Sequence, residues 1–460
     1  MKHFVILGAG ISGLSLGWFL KRRYGSKIQL TILEQSDRPG GLIRTDFVEG
    51  SLFEQGPRSL RTRGNGLETL KLIEKLQLQS QVIAANPKAK KRYLWTGGKL
   101  RKLPTGPLSF LTSPLTRTLP WVMLREMFRK KSVLPDESIA SFITRRFGSR
   151  VSEKLFDPLT TGIFAGDINK LSIRSCFPDF YQWEKQYGSV CKGMVRRRRC
   201  AKRAGTPFLE HYSRVPLFSF KEGMETLPCA LAEVLAPHLR CNTAVVSLRS
   251  CADRLEIGLA DGNTLTADHV FSTLPAAKLA PLFENRHREL STLLMSISGS
   301  SVAVVQLAYF RKVLRKEGFG YLVPSSERES ILGCVFDSSV FPQQNQIPEE
   351  TRLTVMIGGM RAPDLVNQSE KHLKSLAVKS LESHLGIGTE PDTASVKIVR
   401  SAIPQYFVGH MEKVERIGTI LARIYPRMTL AGNHFSGVSV NDCIANSKRI
   451  VERMAKFFSV

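Results

Sequence analysis

Residues 4–23 read FVILGAGISGLSLGWFLKRR, a short apolar run followed by a glycine-rich turn and a run with helical periodicity. The turn has the spacing G-x-G-x-x-G, which between a strand and a helix is typical of dinucleotide binding. Gly8 permits the tight turn, Gly10 lets a pyrophosphate approach the backbone, and Gly13 lets the helix pack on the strand. The phosphates would lie at the helix N-terminus, where unpaired N–H groups favour negative charge. These residues predict a Rossmann-like α/β domain.

A second predicted strand, IQLTILE, ends at Glu34. An acidic residue about 20 positions after the last glycine is expected to bind the ribose hydroxyls of the dinucleotide. The next residues, SDRPGGLIRT, contain Gly40, Gly41 and Arg44, in a run that flavin enzymes carry and NAD dehydrogenases generally lack. Paired glycines let the backbone crowd a flat ring system, and a nearby arginine can meet phosphate. The pattern therefore favours FAD over NAD.

The other end of the chain contributes a second glycine-rich turn. Residues 429–454, TLAGNHFSGVSVNDCIANSKRIVERM, predict a strand, a turn and a helix that begins near Val438. A helix N-terminus beside the flavin would stabilise the negative charge of the reduced ring. Both chain ends are therefore predicted to build one cofactor domain, while the middle of the chain supplies a substrate domain.

The middle of the chain is rich in predicted strands. Residues 300–310, 331–337 and 353–360 are strongly strand-like, and RYLWTGGKLRKLP at 92–104 predicts a hairpin that turns at Gly97-Gly98. Together these segments predict an antiparallel or mixed sheet that forms one wall of a substrate cavity.

Charge and cysteine usage set limits on the function. The chain has 66 Lys and Arg against 40 Asp and Glu, a formal net charge of +26. Such an excess fits nucleic acid, an anionic membrane surface or an acidic substrate. The basic loop at 185–203 lacks a recognised nucleic-acid-binding module, so we expect no nucleic-acid partner. The eight cysteines form no C-x-x-C pair, which indicates free thiols and no metal site.

Residues 103–135 combine leucine, phenylalanine and tryptophan with prolines and a basic flank. This composition fits a segment that lies in a membrane interface, where each basic residue near anionic lipid contributes about 1 kcal/mol. A helical subdomain with an ordinary apolar core is the alternative. We find no export signal and no apolar run of about 18 residues or more, so we expect a cytoplasmic protein, peripheral on the cytoplasmic face of the membrane.

Six blocks spread in order over nearly the whole chain resemble the oxygen-dependent protoporphyrinogen oxidase family, within the monoamine-oxidase-like flavoprotein superfamily. They are GAGISG at 8–13, FEQGPRSLR at 53–61, GIFAGDINKLSIRSCFP at 162–178, GFGYLVPSSE at 318–327, IPQYFVGH at 403–410 and LAGNHFSGVSVNDCI at 430–444. The resemblance implies three domains in a mixed α/β fold. They are an FAD domain built from 1–85, 215–275 and 395–460, a mixed-sheet substrate domain built from 86–102 and 276–394, and a helical membrane-associating domain at 103–214.

The resemblance also implies the chemistry. One FAD per chain, held non-covalently, would remove six electrons and six protons from a porphyrinogen to give the aromatic porphyrin, and O2 would reoxidise the flavin to give H2O2. Coproporphyrinogen III oxidases share this architecture, so the sequence leaves protoporphyrinogen IX and coproporphyrinogen III open. It also leaves open an FAD amine oxidase, a carotenoid-type desaturase and a basic non-enzymatic scaffold. The oligomeric state is undetermined, with a homodimer as one alternative.

Site residues follow from the same resemblance. Arg92 would meet a propionate, and Gly320, Leu322, Val335 and Met356 would line the macrocycle. No side chain is assigned as a catalytic base, because the flavin carries the chemistry. The implied FAD contacts are Gly8, Ala9, Gly10, Ile11, Ser12, Gly13, Glu34, Gln35, Gly41, Leu42, Gly56, Pro57, Arg58, Ser59, Val245, Met411, Val438, Ser439 and Val440. Two of these, Leu42 and Met411, stand where some relatives carry tryptophan.

Overall fold

The structure is a computed structural model, and it describes residues 1–104, 113, 116–198, 205–283 and 287–454. Parts of the predicted interfacial segment 103–135 and of the predicted basic loop 185–203 lie outside these residues. The seven cysteines in the described part of the chain are free thiols, as the sequence predicts.

One parallel sheet draws its strands from both chain ends and from the middle of the chain. Its five strands lie in the order Leu239–Arg240, Ile28–Leu33, Lys2–Leu7, His269–Ser272 and Met428–Leu430. The central strand buries alternate side chains on opposite faces, with Phe4 and Ile6 in one core and Val5 and Leu7 in another. Parallel sheets are normally covered by other elements on both faces, and both faces of this sheet are covered. The predicted Rossmann-like architecture from both chain ends is confirmed.

Different elements cover the two faces of the parallel sheet. One face carries the helices Ile11–Tyr24, Gly66–Lys75, Thr226–Leu235 and Val440–Met454. The other carries the helices Arg288–Met295 and His410–Ile424 and a three-stranded sheet of Val245–Cys251, Arg254–Leu259 and Thr264–Ala267. The first and last helices are in direct contact, because the Ser15 hydroxyl donates to Ser447 Oγ at 3.1 Å. The C-terminal helix is thereby held beside the glycine-rich turn at the N-terminus.

A separate seven-stranded sheet forms the second main part of the fold. Its strands lie in the order Thr393–Pro404, Gly299–Tyr309, Thr351–Gly358, Ile331–Val335, Gly320–Leu322, Arg92–Trp95 and Leu100–Lys102. Neighbours are antiparallel except for the parallel pair of Gly320–Leu322 with Arg92–Trp95. The predicted strands and the Gly97-Gly98 hairpin are confirmed. The helix Glu370–Leu385 packs on one face of this sheet and leaves the other face toward the rest of the molecule.

Short helices form a third region around the buried residues Ile139, Phe142 and Leu171. They are Leu119–Glu126, Ile139–Phe147, Ser149–Val151, the π-helix Ser152–Phe156, Asp157–Phe164, Ile173–Cys176, Pro178–Tyr187 and Val190–Arg198. Smaller elements connect the regions: the hairpin of Thr45–Val48 with Ser51–Glu54, the three strands Leu60–Arg61, Leu217–Phe220 and Val82–Ala84, and the helices Pro207–Ser213, Ala276–Leu279 and Asp337–Val340.

The predicted domain boundaries stay a prediction, and the packing favours two shifts in them. Leu279 and Leu290 lie in the core beneath the parallel sheet, although the division 276–394 assigns them to the substrate domain. Leu209 packs in the core on the opposite face of the same sheet, although 103–214 assigns it to the helical domain. We therefore place the two boundaries after Ile297 and before Pro207.

A buried ion pair anchors the helical region. The side chains of Arg146 and Glu126 are both fully buried, and Arg146 Nε donates to Glu126 Oε1 at 2.7 Å. The Ser189 hydroxyl and the Val190 N–H donate to the same carboxylate at 2.6 and 2.9 Å. Burial alone would raise the pKa of Glu126, but these donors and Arg146 hold it below its usual value. The carboxylate therefore stays charged opposite the guanidinium.

We expect Glu126→Ala to destabilise the helical region by about 3–5 kcal/mol, because it leaves a buried guanidinium without its main partner. Hydrogen–deuterium exchange of peptides from 119–198 measures the loss. As a control, Glu256→Ala removes an exposed ion pair with Arg249 whose N–O distance is 3.7 Å, and it should change stability by less than about 1 kcal/mol. Equal exchange in the two variants would show that the buried pair contributes nothing.

Candidate functional site

The glycine turn at the start of the chain has the geometry that its sequence predicts. Gly8 has a φ of +94°, and a Cβ added to Gly13 would lie 1.9 Å from the Gly8 carbonyl oxygen. At Gly10 an added Cβ would meet nothing closer than Gly41 Cα, at 3.9 Å. Protein packing therefore requires Gly8 and Gly13, whereas the space over Gly10 is open to a ligand.

The helix that follows is free to receive an anion. Ile11–Tyr24 has no acidic residue in its first turn and no side chain capping its N-terminus. Within the described chain, no side chain therefore caps its first N–H groups, which together with the helix dipole can bind phosphate. The residues present fit a dinucleotide.

The second glycine loop closes over the first. The Gly40 N–H donates to the Ala9 carbonyl at 2.9 Å, and Gly41, with a φ of +60°, would bring a Cβ to 3.1 Å from Gly10 Cα. The guanidinium that organises this loop belongs to Arg38, which donates to the Gly41 carbonyl at 3.0 Å and to Glu225 at 3.0 Å. Sequence reasoning singled out Arg44, but Arg44 is paired with Asp46 at 2.7 Å and is half exposed. The role of Arg38 was missed because its partner Glu225 is distant in sequence.

Glu34 lies beside the first glycine turn. Its Oε2 accepts the Ala9 N–H at 2.8 Å, and its Oε1 accepts from Ser36. The Thr243 N–H donates to the Glu34 carbonyl at 2.8 Å, which brings the start of the Val245 strand next to this acid. The structure therefore places Ala9, Glu34 and Val245 in one neighbourhood, while Gln35 is exposed beside them.

The turn of residues 56–59 packs against the second glycine loop. A Cβ on Gly56 would lie 2.1 Å from the Leu42 carbonyl oxygen, so the two backbones touch. The Leu42 side chain is 52% exposed and available to a ligand. Arg58 forms a largely buried ion pair with Asp337, with Nε and Oδ1 3.2 Å apart. This pair ties the turn to the end of the seven-stranded sheet, and the sequence alone carried no signal for it.

The C-terminal turn joins the same site. The helix begins at Val440, with the Asp442 N–H donating to Ser439 Oγ at 3.2 Å and the Ser439 hydroxyl donating to Asp442 at 2.7 Å. Asn441 Nδ2 donates to the Arg61 carbonyl at 2.8 Å, so Val438–Val440 lie beside the segment that follows the 56–59 turn. Met411 is the second residue of the helix His410–Ile424 and is half-buried.

Two histidines and a cysteine near the C-terminal turn are held neutral. Burial lowers the pKa of His434 to about 4, and burial together with Lys413 lowers that of His410 to about 4. The ring of His410 stacks on Tyr406 with centroids 4.2 Å apart, and the Tyr406 hydroxyl donates to the Asn433 carbonyl. Burial raises the pKa of the Cys443 thiol to about 11. A protonated thiol is a poor nucleophile, so Cys443 is not activated for a covalent bond to a cofactor.

The five predicted substrate residues all lie on one face of the seven-stranded sheet. Arg92 is directly opposite Gly320, and Gly320 is opposite Val335. Two residues along, Leu322 and Met356 are each opposite Gly333. Residues directly opposite each other, and those two apart on a strand, share a face of a sheet. We call this face, which is opposite to the one covered by Glu370–Leu385, the cavity wall.

Backbone packing also requires the glycine on this wall. A Cβ on Gly320, whose φ is +134°, would lie 2.1 Å from the Cys334 carbonyl oxygen. Leu322, Val335 and Met356 are half-buried, so the wall is apolar and accessible. The helix Asp157–Phe164 borders it, since a Cβ on Gly162 would lie 2.8 Å from Leu322 Cδ2. The arrangement suits a flat apolar ligand.

Arg92 supplies a cation at the edge of the cavity wall. Its guanidinium carbon lies 5.1 Å from the centre of the Phe319 ring, and no ion pair to it is found in the part of the chain that the structure describes. Arg92 keeps access to solvent, yet surrounding protein is close enough that burial, followed by the charge of Arg61, lowers the pKa of its guanidinium. A ligand carboxylate would supply the missing partner. Within the described residues, no cluster of His, Cys, Asp or Glu is suited to hold a metal.

A parallel sheet whose first helix starts in two glycine loops, with an acid at the end of the neighbouring strand, is the arrangement of a dinucleotide-binding protein. The chain belongs to the flavin-containing amine oxidoreductase family, whose model matches residues 11–455. The cofactor is therefore a flavin, and the protein is a flavin-dependent oxidoreductase.

Individual relatives show which members of the family this chain is similar to. The chain is 36% identical over 474 residues to the protoporphyrinogen oxidase of Bos taurus, with 98% of each chain covered. It is 28% identical to the coproporphyrinogen III oxidase of Bacillus subtilis, with 98% of this chain and 97% of that protein covered. Among solved structures, a protein of Exiguobacterium sp. 255-15 that carries the provisional description of protoporphyrinogen oxidase superposes with a TM-score of 0.82 at 25% identity, with 99% of each chain covered. The predicted family and fold class are confirmed.

Proposed function

We propose that this chain is an FAD-dependent protoporphyrinogen oxidase, which converts protoporphyrinogen IX to protoporphyrin IX by three two-electron steps with O2 as acceptor. The observation that carries the proposal is the full-length similarity to protoporphyrinogen oxidases, together with an apolar wall that ends in an arginine with no ion-pair partner among the described residues. A porphyrinogen is an apolar macrocycle with carboxylate arms, so it needs a wide apolar slot and one or two cations. The cavity wall and Arg92 provide both.

The glycine loops, Glu34 and the helix starting at Val440 would hold the FAD non-covalently. The neutral thiol of Cys443 supports this, because a covalent bond would need an activated nucleophile. Bound FAD supplies the two-electron acceptor for each dehydrogenation. The protein orients the macrocycle against it: Leu322, Val335 and Met356 contact the ring, and Arg92 fixes its rotation through a carboxylate arm. The three protons would pass to water from the pyrrole nitrogens, one of them after a hydrogen shift from a meso carbon, because the ring loses only two N–H hydrogens net; no side-chain base is assigned.

Coproporphyrinogen III is the second candidate substrate, and the Bacillus subtilis relative favours it. An amine substrate is disfavoured, because the charge of Arg92 would repel a protonated amine.

The decisive experiment measures anaerobic bleaching of the bound flavin with protoporphyrinogen IX and coproporphyrinogen III side by side, and with putrescine as an amine control. We expect fast bleaching with protoporphyrinogen IX and none with the amine. Faster bleaching with coproporphyrinogen III would select the second candidate, and a flavin that no porphyrinogen bleaches would overturn the proposal.

We also propose that the helical region attaches the protein to the cytoplasmic face of a membrane. Trp121, Phe128 and Val133 are 64%, 81% and 92% exposed, an unusual display of large apolar side chains in one short stretch. Exposed basic residues lie among them, at Arg125, Lys130 and Lys131. Among the described helices, none combines the length and the apolarity needed to cross a bilayer. An apolar tip ringed by cations supports attachment at the interface.

We expect the protein to bind vesicles that contain phosphatidylserine and to be released progressively by salt, because screening shortens the reach of charge. The double variant Trp121→Ser, Phe128→Ser should lose most of this binding in a flotation assay. Met295→Ser removes an exposed apolar side chain at the end of the helix Arg288–Met295, outside the helical region, and should bind like the original protein. Unchanged flotation of the double variant would contradict the proposed attachment site.

A further inference from the structure

We infer that Arg61 forms, together with Arg92, a two-arginine clamp that binds two carboxylate arms on one edge of the substrate. The inference rests on the proposed function, because it assumes a substrate with carboxylate arms. It adds to the expected site a second cation, one that the sequence did not indicate.

Strand register decides where the side chain of Arg61 lies. Leu60–Arg61 pairs with Leu217–Phe220 so that Leu60 is opposite Phe218 and Arg61 is opposite Leu217. Leu60 and Phe218 are buried in the core of the parallel sheet. Alternation along a strand then directs Arg61 and Leu217 to the other face.

The face of this strand pair that carries Arg61 and Leu217 lies next to the cavity wall. Leu217 packs in a small apolar cluster with Phe319 and Val335. Val335 belongs to the cavity wall, and Phe319 is the ring on which the Arg92 guanidinium rests, 5.1 Å from its centre. Arg61 and Arg92 therefore approach the same apolar cluster, one from the strand beside the flavin loops and one from the edge of the wall.

The guanidinium groups of Arg61 and Arg92 have no acidic partner within the described chain. No ion pair or side-chain hydrogen bond joins either group to another residue in the described ranges. The neighbouring carboxylates are engaged elsewhere, Asp337 with Arg58 at 3.2 Å and Glu317 with Lys88 and Lys91. After burial, the charge of Arg61 is the second cause that lowers the pKa of Arg92, which places the two cations within electrostatic reach. Two carboxylates would relieve this repulsion, and each guanidinium can hold one with paired hydrogen bonds.

The backbone of Arg61 is held in place independently of any ligand. Its carbonyl accepts from Asn441 Nδ2 at 2.8 Å, and Asn441 Oδ1 in turn accepts from the Thr69 hydroxyl at 2.7 Å. The first bond uses only the backbone carbonyl of Arg61, the second fixes the side chain of Asn441, and neither involves the guanidinium. A change of the side chain should therefore leave the local fold intact.

The test compares protoporphyrinogen IX with its dimethyl ester in the holoenzyme and in Arg61→Met. We expect Arg61→Met to raise KM for the diacid by about tenfold or more, since a charge-assisted hydrogen bond is lost, while kcat changes much less. With the ester, which offers no carboxylate, KM should change less than about twofold. Arg61→Lys should recover part of the loss, because it keeps the charge without the fork. Arg288→Met, an exposed cation on the far side of the parallel sheet, is the matched control and should leave both substrates unaffected.

Two outcomes overturn the clamp: an unchanged KM for the diacid in Arg61→Met, or equal losses for diacid and ester. Flavin content and circular dichroism check the fold, and Arg61→Lys carries the comparison alone if Arg61→Met does not fold. Binding of unreactive protoporphyrin IX and its dimethyl ester, followed by fluorescence quenching, tests the clamp without turnover. An enzyme that oxidises no porphyrinogen but prefers the diacid porphyrin through Arg61 would refute the proposed function and keep the clamp.

Discussion

Gly10→Val is expected to give a folded protein that retains less than about a tenth of the flavin of the original protein. Gly10 has a φ of −71° and a ψ of 177°, an extended conformation that any residue adopts. An added Cβ meets only Gly41 Cα, at 3.9 Å, so the change costs the empty protein little. The valine side chain instead fills the space through which a pyrophosphate reaches the backbone. The substitution should therefore weaken binding of the cofactor and leave the fold intact.

The absorbance ratio of flavin to protein, with flavin released by denaturation as a check, measures this retention. Gly13→Ala is the matched comparison, because its Cβ would lie 1.9 Å from the Gly8 carbonyl oxygen and should disrupt the strand-to-helix packing itself. We expect Gly10→Val to show normal circular dichroism and Gly13→Ala to aggregate. Retention of more than half of the flavin in Gly10→Val would place the pyrophosphate elsewhere. Flavin that stays on the denatured original chain would exclude the non-covalent complex.

Arg92→Ala is expected to lower kcat/KM for protoporphyrinogen IX by a factor of roughly 30 to several thousand. The guanidinium lies over Phe319 at the edge of an apolar wall, where a bound macrocycle would exclude water from its contact with a carboxylate. Removing one partner of such a desolvated pair costs roughly 2–5 kcal/mol, and about 1.4 kcal/mol corresponds to tenfold. The planar fork also fixes the angle of the arm, so a poorly oriented ring should reduce kcat as well as binding.

Steady-state kinetics normalised to bound flavin measure this effect, and flavin content should not change. Arg92→Lys should recover only part of the activity, because an ammonium group offers charge without the fork. A loss below about threefold in Arg92→Ala would show that Arg92 does not hold the substrate.

The helix boundaries show how far local sequence patterns reach. The sequence predicts that the C-terminal helix begins near Val438, whereas it begins at Val440, because Ser439 and Asp442 accept each other's backbone N–H groups as a capping pair. The pattern Ser-x-x-Asp is visible in the sequence and predicts this start. Arg44 shows the opposite case. Its sequence position suggested a phosphate contact, but a nearby aspartate engages it and the distant Glu225 positions Arg38 in the loop instead.

The sequence by itself determined the dinucleotide-binding start of this protein. The strand, the turn at Gly8 to Gly13 and the following helix are contiguous, so their geometry depends on backbone sterics and hydrogen bonds among neighbours, and the residue types report them directly. The strand-like segments 300–310, 331–337 and 353–360 and the hairpin at 92–104 likewise predicted the strands of the cavity wall. Only the tertiary structure decided which face of that sheet is free, because the helix Glu370–Leu385 covers one face and leaves the other. It alone joined Arg58 to Asp337 and brought Arg61 and Arg92 to one apolar cluster. Such pairs depend on how segments far apart in the chain pack together. The partner of each side chain is decided by strand register and burial, and the neighbouring residues in the sequence do not indicate either one.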